Sequence, residues 1–200
     1  MPRRPLTELE GCVLGVLSTL GPCTAYVVRC HFLESPSPYW SGSAGSIYPL
    51  LMRLRSLGLV QERPHAEGRR KSVFLSLTAE GRAALAQWIL PPLPDLVVGV
   101  PSDPLRTRLG FLVVLSPAQR RRFLADAAAG LERQRSEIEA DERRHRKRGD
   151  RYGILLARGA TAMQAARIEW LQEVSRELEP VTRDRRTTAS RGGSRRRARS

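Results

Sequence analysis

Two short clusters hold the side chains that chemistry could use. Ser43-Ala44-Gly45-Ser46-Ile47-Tyr48 brings two hydroxyls, a glycine and a phenol close together. Small hydroxyl residues beside a glycine let a backbone approach a phosphate closely, and unpaired amides at the start of a helix attract the anion. Tyr48 can bond a phosphate or pack on a thymine methyl, and Met52 and Arg53 lie where base edges would be read. The second cluster, Arg69-Arg70-Lys71, places three consecutive cations at the exit of a turn. Taken singly, each also has a structural reading: Ser43 and Ser46 as helix caps, Tyr48 as a partly buried ring, the basic run as a solvated loop.

Catalysis and metal binding find no such clusters. His31, His65 and His145 are scattered, and Cys12, Cys23 and Cys30 form no CxxC. HExxH and nucleophile-elbow patterns are missing, and Gly42 to Ser46 lacks the lysine of a phosphate-binding loop. The expectation is a protein that is not an enzyme, with no catalytic residues, no metal and no cofactor. An odd cysteine count argues against a disulfide framework and fits a reducing cytoplasm. No run reaches the ~18 apolar residues of a membrane span.

Charge points to a polyanionic partner. Lys and Arg total 34 against 20 Asp and Glu, a net +14, and only Lys71 and Lys147 are lysines. The excess is uneven, because Arg183 to Ser200 holds eight arginines and one aspartate. That tail is too rich in Arg, Ser, Thr and Gly to bury a core and is expected to be disordered.

The elements that position the first cluster can be read from caps and periodicity. Thr7 with Glu10 forms a capping box for a helix presenting Leu9, Val13, Val16, Leu17 and Leu20, ended by Gly21-Pro22. A second helix starts at Thr24 and presents Val27, Val28, Phe32 and Leu33, followed by a turn-rich run from Ser35 to Gly45. Ser46 is favoured as N-cap of a third helix because Pro49 then falls in the first turn, where its missing amide costs nothing. Ile47, Leu50, Leu51, Leu54 and Leu57 face its core, and Gly58 stops it. Leu59 to Arg63 and Arg69 to Leu77 read as strands around a loop from Pro64 to Gly68, and Thr78 caps a fourth helix through Leu85, Trp88 and Ile89.

Beyond the proline cluster at 91–94, Asp103-Pro104 starts a short apolar helix ending at Leu115, and Ser116-Pro117 starts a long one with Leu124, Ala127, Leu131 and Ile138 in one stripe. Gly149-Asp150 breaks it. A last helix from about Tyr152 to Leu178 carries Leu156, Met163, Trp170, Leu171, Val174 and Leu178. Stripes this narrow make a poor monomeric core and are expected to pack on another chain, which makes Leu124, Leu131, Ile138, Leu156, Met163, Trp170, Leu171 and Val174 the candidate dimerisation residues.

Three helices and a hairpin with a basic tip form the plan of a winged helix-turn-helix, whose third helix enters the major groove while the wing lies along phosphates. The fold class is therefore mainly α, with a two-stranded β wing and a following helical region. Trp40 to Pro49, with Leu51, Leu54, Gly58, Leu59 and Val60, closely resembles the recognition-helix region of the PadR family of bacterial transcriptional regulators. Gly21-Pro22 with Tyr26, the run Gly68 to Lys71, Leu77-Thr78 with Gly81, and Trp170-Leu171 extend the likeness. The chain departs from the common family pattern at Gly42, Thr24-Ala25 and Phe74-Leu75.

The resemblance implies a homodimeric regulator, most often a repressor, that binds a palindrome in double-stranded DNA and responds to a small aromatic effector. Its expected divisions are a DNA-binding domain at 1–90, a linker at 91–102, a dimerisation domain at 103–179 and a tail at 180–200. The DNA-contacting candidates are Tyr26, Ser43, Gly45, Ser46, Tyr48, Arg53, Arg69, Arg70 and Lys71. Trp88 is read either as core or as part of an aromatic effector pocket. Two other readings stay open: a sequence-independent RNA-associated or nucleoid protein using the arginine tail, and a winged helix that binds a protein partner instead of DNA.

Overall fold

Residues 4–67 and 70–178 are described by the structure, a computed structural model. Helix α1 (Glu8–Leu20) opens on a capping box in which Thr7 Oγ1 accepts from the Glu10 amide at 3.3 Å and Glu10 Oε2 accepts from the Thr7 amide at 2.9 Å. Gly21, at φ +71°, turns the chain out of it, and Thr24 caps α2 (Ala25–Leu33). Only Val28 and Phe32 of α2 are buried; Val27 and Leu33, expected inside, are exposed, since α2 packs along one narrow line.

The run from Ser35 is not a loop. Pro38–Gly42 forms α3, with Pro38 in its first turn, and a 3-10 turn (Ser43–Ser46) leads directly into α4 (Ile47–Ser56). The run lacks periodicity because tertiary contacts hold it, among them Trp40 packed edge-on against Phe32 with ring centroids 6.1 Å apart. Ile47, Leu51 and Leu54 seat α4 on the core, whereas Leu57 is exposed, and Gly58 at φ +70° ends the turn after it.

Strands β1 (Val60–Glu67) and β2 (Arg70–Leu77) pair antiparallel from Val60↔Leu77 out to Glu67↔Arg70. The wing is therefore longer than expected, because Pro64 to Glu67 pair with β2 rather than forming a loop. Pro64 is tolerated since each strand of a two-stranded ribbon has a free edge. Leu75 and Leu77 point into the core, Val73 is exposed, and Cys23 forms an isolated antiparallel bridge to Leu75. Thr78 caps α5 (Ala79–Ile89), which returns across α1 with Leu85 buried and Ile89 exposed. α1, α2, α4, the wing root and α5 share one hydrophobic cluster.

The segment expected as a plain linker contains a one-turn helix, α6 (Asp95–Val98). Asp103 caps α7 (Pro104–Leu109), which stops at Gly110 instead of reaching Leu115; a 3-10 turn (Leu112–Val114) follows. Ser116 and Gln119 form a second capping box for α8 (Pro117–Arg148), 32 residues long. Gly149, at φ +67°, turns the chain directly into α9 (Arg151–Leu178).

α8 and α9 pack against each other, and this corrects one expectation. Leu124, Leu131, Ile138 and Leu171, read as waiting for another chain, are buried within this one. Gly153 and Ala157 allow the helices to approach near the turn, and the buried Gln164 donates to the Leu131 carbonyl at 2.8 Å. Leu105, Leu109, Leu112 and Leu115 cover the far end of the pair.

Candidate nucleic-acid interface

The start of α4 is built to face outward. With Ile47, Leu51 and Leu54 held in the core, steps of ~100° per residue turn Tyr48, Met52 and Ser56 to solvent. Tyr48 is 44% exposed and Tyr26, at the start of α2, is 63% exposed. The two tyrosines lie near enough to interact electrostatically. A hydrogen bond with Cys30 raises the Tyr26 phenol above its ordinary value, helped by the Cys30 charge, slight burial and Tyr48, and opposed by Arg29.

Gly45 and Ser46 are exposed at the 3-10 turn beside Tyr48, and a Cβ at Gly45 would meet nothing within 4 Å. Space for a close external approach is therefore present. Ser46 has helical dihedrals and makes no capping bond, so its hydroxyl remains available. It stands at the expected N-cap position of α4, but the preceding 3-10 turn runs straight into the helix and takes the place of a side-chain cap. Ser43 differs again, because its hydroxyl donates to the Tyr39 carbonyl at 2.8 Å. It can approach a phosphate as a donor only by giving up that bond.

Arg53 lies at the flank of the same face and is not free. Its Nη2 is 3.4 Å from Glu10 Oε1, and Arg4 Nη2 reaches the same oxygen at 2.7 Å. Glu10 is 1% exposed. Burial alone would raise its carboxyl, but the Thr7 amide and Arg4 outweigh this and hold it below the usual range. In the sequence Glu10 marks only a helix cap and Arg4 carries no signal, since nothing local marks a residue that acts through a helix packed across the core. Arg55 pairs with Glu62 on β1 and so ties α4 to the wing.

Of the basic run, Arg69 lies outside the described residues. Arg70 and Lys71 stand opposite Glu67 and Ala66 in the wing register, with their side chains outside the described residues. The arginine-rich tail lies outside them as well. Trp88 packs across Gly11 of α1, where an added Cβ would come within 2.4 Å of its Cε2, and it belongs to the cluster under the winged helix.

On α9 the expected dimerisation residues divide between two faces. Leu171 faces α8, with Val174 partly buried beside the same cluster. Leu156 is 76% and Met163 62% exposed, and Trp170 is partly exposed. Tyr152, Leu156, Gly159, Met163, Ala166 and Trp170 follow alternating steps of four and three. Such a pattern makes a continuous seam down one side of a helix.

Residues 13–87 match the family model of PadR-like transcriptional regulators, and residues 102–179 match that of the virulence activator alpha C-terminal region. Residues 13–87 form a domain of the PadR-like family of transcriptional regulators. Members of that family are regulators of transcription, not enzymes. Among solved structures, Bacillus subtilis PadR in complex with operator DNA is similar at TM-score 0.73 and 20% identity, covering 88% of this chain and 100% of that one. The same protein in complex with p-coumaric acid gives 0.67 and 20%, covering 90% and 99%. A PadR-like regulator from Bacillus cereus gives 0.68 and 19%, covering 90% and 100%. These likenesses show the fold, a PadR-like winged helix followed by a helical region. No curated protein matches the chain. Among the described residues of this PadR-like chain, no helix is long and apolar enough to cross a membrane, and no cluster of three or more His, Cys, Asp or Glu could hold a metal ion.

Proposed function

We propose that this PadR-like regulator is a homodimeric repressor that binds a palindromic operator in double-stranded DNA and is released by a small aromatic effector. One observation carries the DNA face: Tyr26, Gly45, Ser46 and Tyr48 stand exposed on one rim of the winged helix, over a core that holds α4 rigidly from beneath. Ser46 and Tyr48 supply hydroxyls for phosphates, Met52 and Arg53 border the groove, and the wing residues Arg69, Arg70 and Lys71 add backbone attraction. Ser43 belongs to this face once its hydroxyl leaves Tyr39.

Dimerisation rests on the outer seam of α9, where Leu156 and Met163 stand exposed and Trp170 partly so among the described residues. Residues 1–90 then form the DNA-binding domain, 91–102 the linker and 103–179 the dimerisation domain. Complexes of Bacillus subtilis PadR with operator DNA and with p-coumaric acid support the operator and the effector class for this chain. Trp88 stays a candidate for the effector site, and the contact of α8 with the end of α2 offers a route from the helical region to α4.

Selection of bound duplexes from a random library tests this reading. Enrichment of an inverted repeat, with half-sites about one helical turn apart, is the expected result. Uniform recovery of all sequences would replace it with sequence-independent binding through the arginine tail, and no recovery with a winged helix that binds a protein partner.

A further inference from the structure

Glu10 is the most deeply buried charge among the described residues, and its partners reach outward. Oε2 is taken by the Thr7 amide, while Oε1 receives Arg4 at 2.7 Å and Arg53 at 3.4 Å. The two guanidiniums come from separate parts of the winged-helix sequence, one before α1 and one from the middle of α4. Their side chains are 49% and 51% exposed. One carboxylate faces two cations, so the assembly keeps a net positive charge. Each guanidinium has five N–H donors. Arg4 directs one to the Pro5 carbonyl at 2.8 Å and one to Glu10, and Arg53 makes its ion pair to Glu10 alone, so donors of both remain turned to solvent. Without the carboxylate, two like charges this close would separate. With it, they form a pair of planar forks suited to the oxygens of one phosphate.

We propose that Arg4 and Arg53, held side by side by Glu10, clamp one backbone phosphate of duplex DNA at the edge of the groove that α4 enters. Glu10 is a positioning residue and does not touch the DNA. The site adds Arg4 to the contacts and gives Arg53 a role in fixing register rather than in reading a base. It rests on the DNA-binding reading above.

The test uses the full chain and the duplex recovered by selection, with a random duplex as reference, across a salt series. Arg4→Ala is expected to flatten the slope of log affinity against log salt by about 0.9, the loss of one phosphate contact. It should weaken both duplexes by the same factor and leave the thermal transition cooperative. Glu10→Gln keeps the capping box, because glutamine also accepts from the Thr7 amide. In the Glu10→Gln background, removing Arg4 should change the slope no further. A slope unmoved by Arg4→Ala, while the parent still binds its duplex, overturns the clamp and leaves the DNA-binding reading standing. Full flattening by Arg4→Ala in the Glu10→Gln background overturns the positioning role. A parent that binds no duplex overturns the clamp together with the reading beneath it.

Discussion

Gln134, midway along α8, donates from Nε2 to the Pro36 carbonyl at 2.6 Å, joining groups 98 residues apart in the chain. Nearby, Arg144 Nη2 lies 3.4 Å from the Glu34 carbonyl and Arg148 lies 4.0 Å from the Glu34 carboxylate. The long helix thus holds the segment that links α2 to α3 and, through it, the approach to α4. Gln134→Leu should leave the Pro36 carbonyl without this donor and weaken the junction by about 1 kcal/mol. Hydrogen exchange is expected to rise from Glu34 to Trp40 while α8 and α9 stay protected; unchanged protection at Glu34 would show that the contact does not hold the segment.

Two glycines fix how closely helices pack. A Cβ on Gly81 would lie 2.0 Å from the Leu59 carbonyl oxygen, a backbone atom, whereas on Gly11 it would meet the Trp88 ring. A side chain can shift more readily than a backbone carbonyl fixed by its hydrogen bond to the Thr78 amide. Gly11→Ala should destabilise by about 1–3 kcal/mol, and Gly81→Ala by the top of that range or more, as read from urea midpoints. Trp88 fluorescence should change with Gly11→Ala.

Asp103 ties α7 to α9. Arg167 donates to it from Nε at 2.9 Å and from Nη2 at 3.0 Å. Burial pushes the Asp103 carboxyl upward, but Arg167 and the Leu105 and Arg106 amides outweigh it, so it titrates below its ordinary value. A carboxyl whose pKa is lower in the folded state stabilises fully above its unfolded value, about 3.9, and loses that contribution as pH falls through the folded one. Asp103→Asn is therefore expected to reduce stability at neutral pH and to flatten the acid limb below about pH 4. Parallel urea curves down that limb for parent and variant would contradict this.

The division of α9 into two faces separates two kinds of variant. Leu171→Glu places a charge between α8 and α9 and should unfold the helical pair, with loss of circular dichroism. Leu156→Glu with Met163→Glu should keep that signal and yield monomers by light scattering, with weakened operator binding because paired half-sites are lost. A dimer that survives both outer changes would exclude the seam.

What could be read from the residues was whatever rests on local bonding. Thr7, Thr24, Thr78, Asp103 and Ser116 all cap the helices assigned to them, because a cap needs only its own next three residues. α3 escaped, since the Trp40 to Phe32 contact that supports it joins separate elements. Periodicity found both apolar stripes of α9 but merged them: Leu171 and Leu156 differ by an angle that matters only once α8 is in place. The candidate DNA face followed from Ser46 and Tyr48, while the Glu10 hub depends on α1 crossing α4.

Operator binding by this chain is expected to place the exposed start of α4 on DNA at the two halves of one site. Hydroxyl-radical footprinting of the selected duplex with the parent chain and with Ser46→Glu tests it most directly. The parent should protect two symmetric patches about one helical turn apart. Ser46→Glu, which sets a negative charge where a phosphate should lie, should abolish both patches while its melt stays cooperative. Equal protection by the two proteins, or protection spread evenly along the duplex, would show that the start of α4 does not read a two-part site.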